Sequence, residues 1–195
     1  MLEEFDHFGG LVAGCDEAGR GCLAGPVFAA AVILPSGFKH KDLNDSKQVG
    51  KAKRNKLRDI IIESSVAWSV AQCSADEIDS LNILWASIEA MHKALDGLKI
   101  APSMLLIDGN KFKNYKDLPH QCIIKGDSKY TCISAASILA KTFRDDYMKD
   151  QSLKYPQYGW EQNNGYGTKK HIQALKTFGI TNLHRKTFKP VRQAE

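Results

Sequence analysis

The stretch Ala13–Pro26, AGCDEAGRGCLAGP, limits this chain more than any other, because an apolar run stands on each side of it. Leu11–Val12–Ala13 leads in and Val27–Leu34 leads out. Short apolar runs bounded by glycine read as two buried strands joined by a tight connection, with charge at or near that connection. The charge here is the acidic pair Asp16–Glu17, followed by the turn Gly19–Arg20–Gly21. Successive side chains of a regular strand point to opposite faces. For both acids to act on one site, the strand must end or bulge there, or one acid must offer its main-chain carbonyl. Glycine permits the backbone angles and close ligand approach that such a turn needs. A polar hairpin tip carrying a chance acidic pair satisfies the same residues.

Two buried strands need cover, and the following residues supply it. Lys51–Glu63 sets Leu57, Ile60 and Ile61 at helical spacing, and Ser65–Gln72 alternates through Val66, Trp68 and Val70 as a half-buried strand. Ser74 is a natural cap for a helix start. Asn82–Gly97 predicts a helix with the stripe Leu84, Ile88, Met91 and Leu95, and Trp85 is read into the same core. Met104–Ile107 and Gln121–Ile124 predict two further short strands. A long helix is expected from about Ser128–Lys129 to Lys149, with Cys132, Ala135, Ala136, Leu139, Phe143 and Tyr147 as its apolar stripe. Ser137, Lys141, Arg144 and Asp145 lie on a rotated face, open to phosphate contact or to ion pairing against the sheet. Asn163–Gly167 is a glycine-rich loop, Thr168 caps a helix over Lys169–Phe178, and Gly179 ends it. The basic tail, with His184 and Arg185, reads as a solvated or nucleic-acid-facing surface. The element order predicts an α/β fold, a mixed central sheet flanked by helices, in one domain spanning 1–195. Residues from about 151 to 195 are expected to form a helical, basic appendage on it.

Composition narrows the class of function. At 195 residues the chain can bury one sizeable core. No run approaches the ~20 apolar residues of a membrane span, and the acidic start MLEEFDHFGG lacks a secretory leader. Cys15, Cys22, Cys73, Cys122 and Cys132 are odd in number and scattered, as reduced cysteines of a cytoplasmic protein are. The net charge of +5 permits a polyanionic partner without establishing one.

Asp16–Glu17, Asp108 and Asp127 share one placement. Each follows or ends a short apolar strand and lies beside or near a glycine. If those strands are neighbours, their ends converge, where open α/β sheets bind ligands. Converged carboxylates repel one another, and a hard divalent cation relieves the repulsion; oxygen-only donors select Mg²⁺ or Mn²⁺ over zinc. Two such ions would clamp a phosphodiester. Acidic residues after strands are also ordinary turn residues.

The motifs resemble those of ribonuclease HII, the type 2 ribonuclease H family. Asp16-Glu17-Ala-Gly19-Arg20-Gly21 with Gly25-Pro26-Val27 carries the likeness. So do Ile107-Asp108-Gly109, Lys125-Gly126-Asp127-Ser128, Ser134 through Lys141 with Arg144-Asp145, Tyr155-Pro156, Gly165-Tyr166-Gly167-Thr168, His171 and His184-Arg185. These blocks cover nearly the whole chain in family order. Thr187-Phe188 departs slightly, since Ser-Phe is expected there. The resemblance implies a ribonuclease H-like fold and an endoribonuclease that hydrolyses the RNA strand of RNA–DNA hybrids. It implies incision 5′ of single ribonucleotides embedded in duplex DNA, as in ribonucleotide excision repair, leaving 3′-hydroxyl and 5′-phosphate ends. It assigns Asp16, Glu17, Asp108 and Asp127 to two Mg²⁺ or Mn²⁺ ions. It assigns Gly19, Arg20, Gly21 and Tyr166 to the substrate, with Ser46 and Lys47 near the substrate backbone. His171 is expected to hold the Tyr166 loop. The expected partners are RNA–DNA hybrid and ribonucleotide-containing duplex DNA, with no membrane and a monomeric chain. A non-catalytic nucleic-acid-binding module and another two-metal nuclease on the same fold are the alternatives.

Overall fold

The structure, a computed structural model, describes residues 2–4, 9–45 and 50–194. Five strands, β1 (Val12–Ala18), β2 (Val27–Ile33), β3 (Ala67–Cys73), β4 (Met104–Asp108) and β5 (His120–Ile123), form one sheet in the order β3-β2-β1-β4-β5. β1–β2 and β2–β3 pair antiparallel; β1–β4 and β4–β5 pair parallel. Every residue of β2 is buried, as in a sheet covered on both faces.

Side-chain alternation assigns the two faces. Ala13, Cys15, Ala29, Ala31, Leu105 and Ile107 meet Ala86, Ala90, Met91 and Ala94 of the helix α3 (Ile83–Asp96). Ala30 and Val32 meet Ala135, Ile138 and Leu139 of α4 (Thr131–Lys154), beside Leu57 and Ile61 of α1 (Lys51–Ser64). The alanines of β2 let both helix layers approach closely. At Gly14 the approach is closest: a Cβ there would lie 2.3 Å from the carbonyl carbon of Cys132. Between β3 and α3 the short helix α2 (Ala75–Leu81) starts in a capping box. Ser74 Oγ accepts from Glu77 N, and Glu77 Oε2 accepts from Ser74 N.

The C-terminal part is helical, with α5 (Trp160–Asn163), α6 (Lys169–Phe178) and α7 (Lys189–Arg192). Its apolar residues Trp160, Leu175 and Val191 pack with Tyr158, Met148, Leu23 and Ala24. The appendage thus seals against the loop that follows the Gly19–Gly21 turn. Among the described residues no helix is long and apolar enough to cross a membrane.

β1 neither ends nor bulges at Asp16; it stays paired with β2 through Ala18↔Phe28, which removes the broken-strand alternative for the acidic pair. Three expectations are corrected. α4 begins later and runs to Lys154, because Gly126–Ser128 form a 3-10 turn first and the residue before Pro156 resists the helical conformation. Trp85 is 46% exposed: the α3 stripe is completed by Ala86, Ala90 and Ala94, which leaves Trp85 beside exposed Glu89 on the outer flank. His184 and Arg185 are buried rather than solvated, at 1% and 0% exposure. Cys15, Cys22, Cys73, Cys122 and Cys132 are all free thiols, as expected.

Candidate active site

Parallel pairing brings the acids to one edge of the sheet. Cys15 pairs with Ile107, so Asp16 and Asp108 are the next residues along two adjacent parallel strands. β1 continues past the last β4 pair, so Glu17 and Ala18 have a strand partner on the β2 side. Glu17 points to the opposite face from Asp16 and lines a small cleft together with Asp108. Asp127 lies in the turn after β5, 3% exposed, and the neighbouring Gly126 N–H donates to Asp108 Oδ1 at 2.6 Å. Lys125 enters that turn in the left-handed region, φ 55°.

The acids feel one another. Burial pushes the Asp16 carboxyl well above its usual range, and the charges of Glu17 and Asp108 push it further; hydrogen bonds from Ser137 and the Glu17 amide oppose the rise. Burial also raises Glu17, against the pull of Arg20, whose Nη1 donates to Oε1 at 2.9 Å. Buried carboxylates that repel one another beside the paired Arg20 suit a hard divalent cation, and every donor is an oxygen. Among the described residues no three His, Cys, Asp or Glu side chains already stand close enough to cage an ion. What fits such an ion is the chemistry of the donors, which are carboxylate oxygens alone.

Glu17 borders two clefts. One, about 330 Å³, is lined by Gly19, Arg54, Ser137, Lys141 and Tyr166. The other, a small one of about 30 Å³, faces Ser87, Asp108, Asn110 and Lys111. A larger cavity of about 430 Å³ lies at the far end of β1, against Leu11, Leu34 and Thr131, away from the acids. Asp145, 7% exposed, sits between Lys141 at 2.8 Å and Arg54 at 3.8 Å, so the cleft wall carries two anchored cations. Arg54 escaped the sequence reading because it lies in a run of basic residues that look uniformly solvated.

The turn residues lie beside this cleft. Gly19 has φ +96°, Arg20 and Gly21 are exposed, and a Cβ on Gly21 would meet the Tyr166 ring at 3.9 Å. Tyr166 is 43% exposed, with its ring 5.8 Å from Lys141 Nζ. Its backbone is fixed by a bridge to Cys22 and by His171 Nδ1, which donates to Tyr166 O at 2.9 Å. His171 thus holds the loop, as its spacing from Thr168 suggests. Ser46 and Lys47 lie outside the described residues. Arg144 and Arg185 are fully buried and bind main-chain carbonyls, so Arg144 meets neither a phosphate nor a carboxylate partner there and Arg185 is not part of a solvated tail; in a linear sequence an arginine beneath a loop looks like one on the surface.

A mixed five-stranded sheet with helices on both faces and carboxylates gathered at its parallel strand ends defines a ribonuclease H-like fold. The structure superposes on the ribonuclease H2 of Pyrococcus horikoshii with a TM-score of 0.80 at 26% identity, covering 95% of this chain and 97% of that one. Bst-RNase HIII, solved in complex with Mn²⁺, shares the fold at a TM-score of 0.74 and 17% identity, over 94% of this chain and 68% of that one. Residues 13–191 match the family model for ribonuclease HII. The ribonuclease HII of Parabacteroides distasonis is 58% identical over 188 residues, 96% of this chain and 94% of its own length. The chain belongs to the ribonuclease HII family and is a ribonuclease H enzyme.

Proposed function

We propose that this chain incises duplex DNA 5′ of a single embedded ribonucleotide, in addition to cutting hybrids, using two divalent ions held by Asp16, Glu17, Asp108 and Asp127. Membership of the family makes it an endoribonuclease acting on RNA–DNA hybrids, in a metal-dependent reaction. The observation that carries the two-ion reading is the placement of the acids: Asp16 and Asp108 follow paired residues of adjacent parallel strands, and the Gly126 amide ties Asp108 to the turn that holds Asp127. When bound, Mg²⁺ or Mn²⁺ would activate water and offset charge on the leaving oxygen.

The chain's own groups supply position. The buried Asp16, with one oxygen bound by the Glu17 amide, has little freedom and would be the most firmly positioned of the carboxylates that would hold the metal. The Gly126 amide fixes Asp108. Water adds to phosphorus, the P–O3′ bond breaks, and the 3′ oxygen takes up a proton, giving 3′-hydroxyl and 5′-phosphate ends. The amides of the Gly19–Gly21 turn and the Tyr166 hydroxyl are the groups we assign to the ribose 2′-hydroxyl, the mark that separates RNA from DNA locally. The exposed Tyr166 ring would pack on the following deoxyribose. Ser46 and Lys47 are proposed contacts to the substrate backbone, and the chain is proposed to work as a monomer in the cytoplasm.

The test is cleavage of matched duplexes with zero, one and four ribonucleotides, in Mg²⁺ and in Mn²⁺, by the wild type and by Asp16→Asn. The wild type should cut the last two and leave DNA intact. Asp16→Asn should lose at least a thousand-fold in rate while keeping duplex binding. Cleavage by Asp16→Asn within a few-fold of wild type at saturating metal refutes the assignment.

A further inference from the structure

Two guanidinium groups lie beneath the Gly19–Gly21 turn. Arg144, from α4, and Arg185, from the tail, are each 0% exposed. Arg144 donates to the carbonyls of Ala24, Pro26 and Asn164 at 2.9–3.1 Å. Arg185 donates to those of Gly19 at 2.7 Å, Arg20 at 2.8 Å, and Gly25 at 2.9 and 3.0 Å. These bonds all end on main-chain oxygens. A buried charge is costly unless its donors are fully used, and the planar guanidinium fork is the side chain suited to several carbonyls at once. The fit is close: a Cβ on Gly19 would fall 2.0 Å from Arg144 Nε. Burial pulls Arg185 down to about 10, so it remains charged at neutral pH.

The geometry has a consequence on the other side of the turn. In a trans peptide the carbonyl and the next N–H point in opposite directions, and the described residues contain no cis bond. Arg185 holds the Gly19 and Arg20 carbonyls inward, which turns the N–H groups of Arg20 and Gly21 away from it. Arg20 and Gly21 are the exposed residues of the turn, and a Cβ on Gly21 would meet only the Tyr166 ring within 4 Å.

We propose that Arg185 is a positioning residue for recognition of the ribose. By anchoring the inner carbonyls it presents the Arg20 and Gly21 amides as a fixed pair of donors for a ribose hydroxyl or its adjoining phosphate oxygen, with Arg144 bracing the loop from the other side. This rests on the reading of the Gly19–Gly21 turn as a substrate contact.

The experiment measures affinity without divalent metal, for two duplexes identical except for one ribonucleotide. Wild type, Arg185→Lys and Gly21→Ala are compared. Lysine keeps the charge but cannot span three carbonyls. We expect Arg185→Lys to lower the preference for the ribonucleotide duplex at least five-fold, while affinity for the all-DNA duplex stays within two-fold. A merely structural role would weaken both duplexes alike, and that result overturns the proposal. Loss of preference in Gly21→Ala with full retention in Arg185→Lys overturns it too, and leaves the turn reading intact. Alanine keeps the Gly21 N–H but adds a methyl on the exposed face beside the Tyr166 ring, where a ribose held by the amides must approach closely, so retention in Gly21→Ala together with no ribonucleotide-dependent shift of the Arg20 and Gly21 amide resonances refutes the turn reading itself. If Arg185→Lys does not fold, the wild type decides. Its Arg20 and Gly21 amide resonances must shift with the ribonucleotide duplex and not with all-DNA duplex; equal or absent shifts overturn the proposal.

Discussion

Acid should unlock this protein through a pair of buried histidines. Thr181 N–H donates to His184 Nδ1 at 2.9 Å, which leaves the His184 proton on Nε2. The Tyr166 carbonyl can only accept, so His171 carries its proton on Nδ1 and its Nε2 accepts from both Trp160 Nε1 at 3.2 Å and His184 Nε2 at 3.1 Å. Each ring nitrogen is committed, and a second proton on either ring must displace a donor already present. Burial is the main reason that His184 falls from 6.5 to about 4, with the adjacent His171 adding to it, and burial lowers His171 as well. Between those two values the unfolded chain binds a proton that the folded one does not. Stability is therefore complete above about pH 6.5 and is lost as pH falls towards 4. At about 1.4 kcal/mol per pH unit, the His184 contribution is about 3 kcal/mol, or roughly 6–12 °C in Tm for a chain of this size. Carboxylates titrate in the same range, so the informative quantity is a difference. Calorimetry from pH 7 to 4 on wild type and on His184→Asn, whose amide oxygen can replace Nδ1 as acceptor for Thr181, should show a shallower decline in the variant. Parallel declines would refute the reasoning.

Further outcomes follow from the packing and the site. Gly14→Ala should destabilise by about 3 kcal/mol or more, since its methyl meets the Cys132 backbone at 2.3 Å and neither α4 nor β1 can retreat alone; an unchanged urea midpoint contradicts this. Ser74→Ala removes one arm of the α2 capping box and should cost about 1 kcal/mol by chemical denaturation, with cleavage unaffected. Tyr166→Ala should slow single-turnover cutting at one embedded ribonucleotide by roughly ten- to hundred-fold, or about 1–3 kcal/mol, with Tyr166→Phe in between. Wild-type rates in Tyr166→Ala would reduce that loop to a structural element.

Much of the fold was legible because its signals are local. α6 lies over Lys169–Phe178 as its Thr168 cap and Gly179 stop require, and α3 begins at Ile83 after the Asn82 cap. The placement of the acids was legible because each sits near where an apolar strand gives way to glycine. Errors arose where a residue's role depends on distant partners. Trp85 reads as core by its type, yet small alanines complete the α3 stripe and leave it outside. For Asp16 and Glu17 the sequence left a broken strand and a main-chain carbonyl as alternatives, and only the tertiary pairing shows that β1 runs on unbroken beyond its last pair with the short β4.

The sequence by itself determined the elements, the acidic strand ends, the glycine-flanked tyrosine and the family likeness, since spacing and residue type act over a few residues. Only tertiary structure decided which charges are buried. Arg144 and Arg185 look like any other basic residues along the chain, 120 and 160 residues from carbonyls they bind. Their burial becomes tolerable only when folding brings those loop carbonyls around each guanidinium, and the cost of an unsatisfied buried cation makes that arrangement obligatory once the chain has closed.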